Sequence, residues 1–138
     1  MMKAIFLIII FTTLFFNFSF AQKKHDNTII VHGFVSYNQL RNVLFDEGYI
    51  PINSDSLFIS TNYKPQGFLG EVAFILKRTD STLTFKGNVN AKITDIELKG
   101  VLLENVGEKG TVYRVGFTTM NRIATSFGLP VTYLRMNQ

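Results

Sequence analysis

The chain has no cysteine. That absence excludes disulfides, thiolate zinc sites, iron–sulfur clusters and a thiol nucleophile. It also excludes the lipid-bearing cysteine that anchors bacterial lipoproteins. Histidine is scarce: His25 and His32 are the only two. They form no H-x-H or H-x-x-x-H spacing, so neither a metal site nor a general base has a ready partner in sequence. No G-x-x-x-x-G-K, G-x-G-x-x-G or G-x-S-x-G run is present, which leaves no phosphate loop, dinucleotide fingerprint or nucleophile elbow. Asn53, Asp55 and Ser56 resemble a fragment of a calcium loop, but the glycine and distal glutamate are missing, and the stretch reads as a hydrogen-bonded turn. Asp95 and Glu97 read as a solvated strand face rather than an enclosed acid/base pair. No catalytic, cofactor-binding or metal residue is expected.

What is present is concentrated first at the N-terminus. Met1–Ala21 has the form of a secretory signal peptide: Lys3, an apolar run from Ala4 to Phe16, then Ser19-Phe20-Ala21 before Gln22. The run is shorter than the roughly 20 apolar residues a spanning helix needs. Cleavage between Ala21 and Gln22 is expected, with export to the periplasm or medium and no stable membrane anchor afterwards. Six of the 14 phenylalanines lie in this segment (Phe6, Phe11, Phe15, Phe16, Phe18 and Phe20), so the positive mean hydropathy is largely an export feature. The formal net charge of the whole chain is +4 and falls by the one charge of Lys3 on cleavage. The remaining basic residues are dispersed, with only Lys23-Lys24 and Lys77-Arg78 adjacent. Nucleic-acid binding wants a clustered basic face and is not expected.

Three parts follow from this: a signal peptide over 1–21, a flexible lead over 22–27, and a single domain over 28–138. Thr28–Val35 reads as a first strand. Ser36 and Gln39 make a capping box, and Tyr37, Leu40, Val43 and Leu44 form one apolar stripe ending at Gly48, which predicts a helix. Tyr49–Ile52, Leu57–Tyr63 and Glu71–Arg78 read as strands, with Lys64–Gly70 a loop. Thr82–Ile93 alternates most cleanly, with Leu83, Phe85, Gly87, Val89, Ala91 and Ile93 on one face and polar residues on the other. Gly87 suggests a bend or bulge there. Asp95–Leu103 continues as strand with Ile96 and Leu98 inward, and Thr111–Phe117 reads as another strand. A second helix is expected from Thr118 or Thr119 to Phe127, capped by either threonine, with Gly128 and Pro130 at its exit. Val131–Met136 fits a last short strand or an ordered tail.

This order predicts an α+β fold: a curved antiparallel sheet with two helices on one face, β-α-β-β-β-β-β-β-α, its other face wet. The capped helix Ser36–Gly48, its Gly48-Tyr49-Ile50 exit, Asp55 before Leu57–Tyr63 and the helix Thr119–Phe127 together resemble the helix-grip group. Within it, the order is similar to the TATA-binding-protein-like half-repeat. Small bacterial envelope domains such as those of the outer-membrane assembly lipoprotein BamC share that architecture. The resemblance is one of pattern and brings no site residue. It implies a cradle between the long helix and the sheet, lined by residues such as Leu44, Phe74 and Phe85, that either holds a small apolar ligand or is solid core.

Phe68 and Leu69, in the Lys64–Gly70 loop, are the candidate contact surface: a binding tip, or a flap folded over the sheet edge. The expected function is a non-enzymatic exported module that binds an unknown protein or a small apolar ligand. The alternatives are a structural part of an envelope assembly, or a hydrolase built from dispersed polar residues.

Overall fold

A computed structural model describes residues 21–53 and 55–137. The expected signal segment lies outside the described residues, save Ala21. That residue and Gln22, on either side of the expected cut, are both exposed. The fold is α+β. Its described elements are β1 (Thr28–His32), α1 (Tyr37–Asp46), β2 (Phe58–Ser60), β3 (Lys64–Pro65), β4 (Gly70–Arg78), β5 (Thr82–Ile93), β6 (Ile96–Leu102), α2 (Val112–Thr125) and β7 (Val131–Leu134). The strands form one open antiparallel sheet ordered β2-β4-β5-β1-β7, with β3 also on β4 and β6 also on β5.

β5 organises the sheet. β4 runs along one edge of it, pairing Gly70 with Ala91 and Arg78 with Leu83. β1 and β6 share its other edge, β1 against Thr82–Phe85 and β6 against Asn88–Ile93. Alternation puts Leu83, Phe85, Val89 and Ala91 into the core with Ile29 and Val31 of β1 and Val72, Phe74 and Leu76 of β4. Both helices pack into this same cluster, α1 through Leu40 and Leu44, and α2 through Phe117, Met120, Ile123 and Ala124. The opposite face of β5 is not fully wet. Thr82, Thr84, Lys86, Asn88 and Asn90 are half-buried because strands on both sides shield them.

The capping box forms as expected: the Ser36 side chain accepts from the Gln39 amide, and the Gln39 side chain accepts from the Ser36 amide. Gly48 takes φ +80° just past the helix. Glu47 at this C-terminus faces the negative end of the helix dipole, an unfavourable place for a carboxylate. Two cations compensate. Arg122 of α2 binds Glu47 through two hydrogen bonds of 2.7 Å each, and the Lys64 ammonium donates to the Glu47 carbonyl at 2.6 Å. The Arg122 hydrogen bonds hold the Glu47 carboxyl below its usual range against the opposing effect of burial. This clamp ties the end of α1 to α2.

Several boundaries differ from the sequence reading. Thr111–Phe117 is not a strand: α2 begins at Val112, with Thr111 as its cap accepting from the Arg114 amide. The β-branched content of this stretch suggests a strand, but Val112, Gly116, Met120 and Ala124 recur at i, i+4, i+8 and i+12, and all are buried. Thr119 is therefore a buried mid-helix residue, and Thr118 bonds back to the Arg114 carbonyl. A strand, β7, follows this helix and covers β1. The stretch Leu57–Tyr63 shortens to β2, and Tyr49–Ile52 is reduced to one bridge, Pro51 with Thr61. The lead 22–27 is tied down. The His25 amide donates to the Asn105 carbonyl, the Asn27 amide donates to the Leu134 carbonyl, and Asp26 and Asn27 are buried. Gly87 makes no bulge; the register break lies between Val89 and Ala91. Its role is close packing, since a Cβ there would stand 2.5 Å from Leu103 Cδ2.

Candidate surface at the end of the sheet

Leu44, Phe74 and Phe85 are fully buried in the continuous core, so at these residues the space between helix and sheet is filled. The Tyr49 ring sits 4.5 Å from that of Phe74, and burial pushes its phenol up to about 12. The cradle implied by the resemblance is solid core at these positions.

The dispersed polar residues do not converge either. His25 Nδ1 lies 3.0 Å from Glu104, and His32 Nε2 lies 2.7 Å from the Thr132 hydroxyl. The two rings are engaged by different neighbours, His25 in the lead before β1 and His32 at the end of β1. Asp55 accepts from the Leu57 amide as an ordinary turn residue, and Asn53 accepts from the Ser60 amide. Asp95 and Glu97 are exposed. Among the described residues, no three His, Asp or Glu side chains come close enough to hold a metal ion. No helix among them is long and apolar enough to cross a membrane.

The Phe68–Leu69 tip stands out from this background. Phe68 is 77% exposed and Leu69 61%. The backbone of this tip is hydrogen-bonded to its surroundings. The Phe68 amide donates to the Gly110 carbonyl, the Leu69 carbonyl accepts from the Lys92 amide, and the Gln66 amide donates to the Gly70 carbonyl, each at 3.1 Å. Gln66 also bonds the Tyr49 hydroxyl at 3.0 Å. Gly67, at φ +64°, lets the chain pass close to Gly110, whose carbonyl oxygen would lie 2.7 Å from a Cβ. Leu69 itself adopts φ +57°, a left-handed conformation that costs a non-glycine residue about 1–2 kcal/mol. The left-handed residue, Leu69, thus sits in a hydrogen-bonded segment in which both large apolar side chains are exposed.

They are not alone. The Leu69–Lys92 hydrogen bond sets the tip beside the β5–β6 hairpin. There Ile93 and Ile96 form a cross-strand pair and are 52% and 62% exposed. The strand pattern places Ile96 inward; in the structure it lies beyond the core. The reason is length. The last pairing of β4 with β5 is Gly70 with Ala91, so Ile93 and its partner Ile96 overhang the layer that α2 covers. Leu98, one pleat further in, is half-buried against the core. A shallow groove of about 270 Å³ runs between the tip and the hairpin, lined by Pro65, Leu69, Glu71, Asn90, Lys92 and Leu98.

Sequence reasoning reached Phe68 and Leu69 but missed Ile93 and Ile96. The signal that could have found them is the mismatch between the twelve-residue β5 and the nine-residue β4. No family model matches the chain, and no significant match was found to a curated protein or a solved structure.

Proposed function

We propose that this chain is an exported, non-enzymatic interaction module that docks a protein partner through the apolar end of its sheet. The observation that carries this reading is the outward display of Phe68 and Leu69 on a hydrogen-bonded, strained backbone. Ile93 and Ile96 extend the display. Strain at an exposed site has a ready rationale in recognition, because a preorganised side chain loses less entropy on binding. A protein suits this surface better than a small ligand: the groove is shallow, and Leu44, Phe74 and Phe85 are packed in the core. The signal-like N-terminus and the absence of a lipid-bearing cysteine support delivery outside the cytoplasm as a free chain that begins at Gln22.

The test compares tagged mature chain with a Phe68→Asp variant as baits in envelope extract. Burying one phenylalanine is worth about 1.5–3 kcal/mol. The variant should recover its specific partner at least about tenfold less. Its urea midpoint should be unchanged, because surface substitutions away from packed features alter stability by only about ±0.5 kcal/mol. Equal recovery by the two baits would count against this surface.

A further inference from the structure

A chain cut after Ala21 acquires a new functional group. The Gln22 backbone nitrogen, an amide while the signal-like segment is attached, becomes a primary amine. The carboxamide carbon of the same residue, Cδ, then stands where bonding to that amine closes a five-membered ring. The surroundings leave this closure free. Gln22 is exposed, as are Ala21 before it and Lys23 and Lys24 after it. The anchoring of the lead starts one residue later. The Lys23 amide donates to Asp26 Oδ2 at 2.6 Å, and the Lys23 carbonyl accepts from the Asn105 side chain at 2.9 Å and from the Asp26 amide at 3.2 Å. None of these bonds uses an atom of Gln22. The new end is a single residue projecting from a fixed point, and the ring forms within that residue, so no anchor has to break. Gln22 lines a groove of about 470 Å³ together with Lys24, Glu108 and Arg114. Two cations against one carboxylate there disfavour the protonated amine. An α-amino group titrates at about 7.7–8.0, so near neutral pH part of it is already the neutral nucleophile.

On the reading that the free chain begins at Gln22, and independently of the docking surface, we propose that Gln22 is a modification site: the exported chain ends in a pyroglutamyl lactam. The neutral amine of Gln22 attacks its own Cδ. The N–Cδ bond forms, the Cδ–Nε2 bond breaks, and Nε2 leaves as ammonia, taking the proton that the amine gives up. No oxidant, reductant or water is consumed. The lactam N–H carries no charge, so the chain loses one positive charge beside Lys24 and Arg114. It also loses the free amine that an aminopeptidase needs. A closed end followed by an anchored Lys23 keeps the buried Asp26 and Asn27 from being trimmed away. Those two residues tie the start of the domain to the Asn105 and Met136 segments.

Intact-mass measurement and Edman sequencing of the chain recovered from cells that export it test this. The mature chain should be lighter than unmodified Gln22–Gln138 by one ammonia and should give no Edman sequence. Pyroglutamyl aminopeptidase, applied to the denatured chain, should restore a sequence that begins Lys23-Lys24-His25. Gln22→Asn, for which the same closure would need a four-membered ring, should keep its full mass and sequence from position 22. A wild-type chain that begins at Gln22 with its full mass would overturn the proposal and leave the cleavage reading intact. A chain that retains Met1, or starts at any other residue, would overturn both. An ammonia lost equally from Gln22→Asn would place the loss at another residue and would also overturn the proposal.

Discussion

Gly87→Val is expected to cost about 3 kcal/mol or more and to lower the urea midpoint sharply. Gly87 lies on the core face of β5, opposite Phe74 on β4. A Cβ there would stand 2.5 Å from Leu103 Cδ2 and 2.9 Å from Leu103 Cβ. Leu103 cannot retreat, because it also packs on Gly116 of α2, where an added Cβ would meet its Cδ1 at 3.1 Å and Val72 Cγ2 at 2.8 Å. The two glycines and one leucine thus set the distance between helix and sheet. Overpacking a core costs about 1–3 kcal/mol, and more where backbone must move. Adding Leu103→Ala to Gly87→Val should recover part of the loss, although Leu103→Ala alone destabilises through its cavity. A double variant no more stable than Gly87→Val would show that Leu103 is not the obstruction. Urea denaturation of the four proteins measures the coupling.

Phe74→Ala should be comparably damaging, at about 3–5 kcal/mol. Phe74 is fully buried at the centre of the cluster, with the Tyr49 ring 4.5 Å away at 48°. Such a ring pair adds about 0.5–1.5 kcal/mol to the area it buries. Against a total stability of roughly 5–15 kcal/mol, the loss is a large fraction and could leave the chain partly unfolded at 37 °C. Phe74→Leu, which keeps most of the volume, should cost much less. Tyr49→Phe separates ring from hydroxyl: it keeps the stacking but leaves the Gln66 amide without its partner. Its cost should stay near 1 kcal/mol. A Phe74→Ala variant within 1 kcal/mol of wild type would contradict a filled core and revive a cavity between helix and sheet.

Much of this fold was legible in the residues, for reasons that are local. The α1 cap, its stripe and its glycine exit are set by neighbours within a few positions. The alternation of Thr82–Ile93 required only that one face be more deeply buried. Local composition misleads where tertiary context outweighs it. Val112–Phe117 is rich in β-branched and aromatic residues, yet Gly116 is needed where the helix crosses Val72 and Leu103, a contact no sequence window contains. The lead 22–27 is polar and reads as flexible, but its polar groups are bonded to Asn105, Leu134 and Met136. The candidate surface was half legible. A loop holding Phe68 and Leu69 between glycines can be noticed from sequence, whereas its hydrogen bonds to Gly110 and Lys92 cannot. Ile96 followed the strand pattern faithfully and still lies outside the core, because burial depends on where the neighbouring strand stops.

The proposed function requires that the end of the sheet around Phe68 contact a protein. Site-specific photocross-linking in cells producing the full chain tests it most directly. A benzophenone amino acid replaces Phe68 in one strain and Phe45 in another; Phe45 is an exposed aromatic on α1, 48% accessible. Light should give one discrete adduct from position 68, identifiable by mass spectrometry as a protein, and no matching adduct from position 45. No adduct from position 68, or the same adducts from both positions, would contradict such a contact.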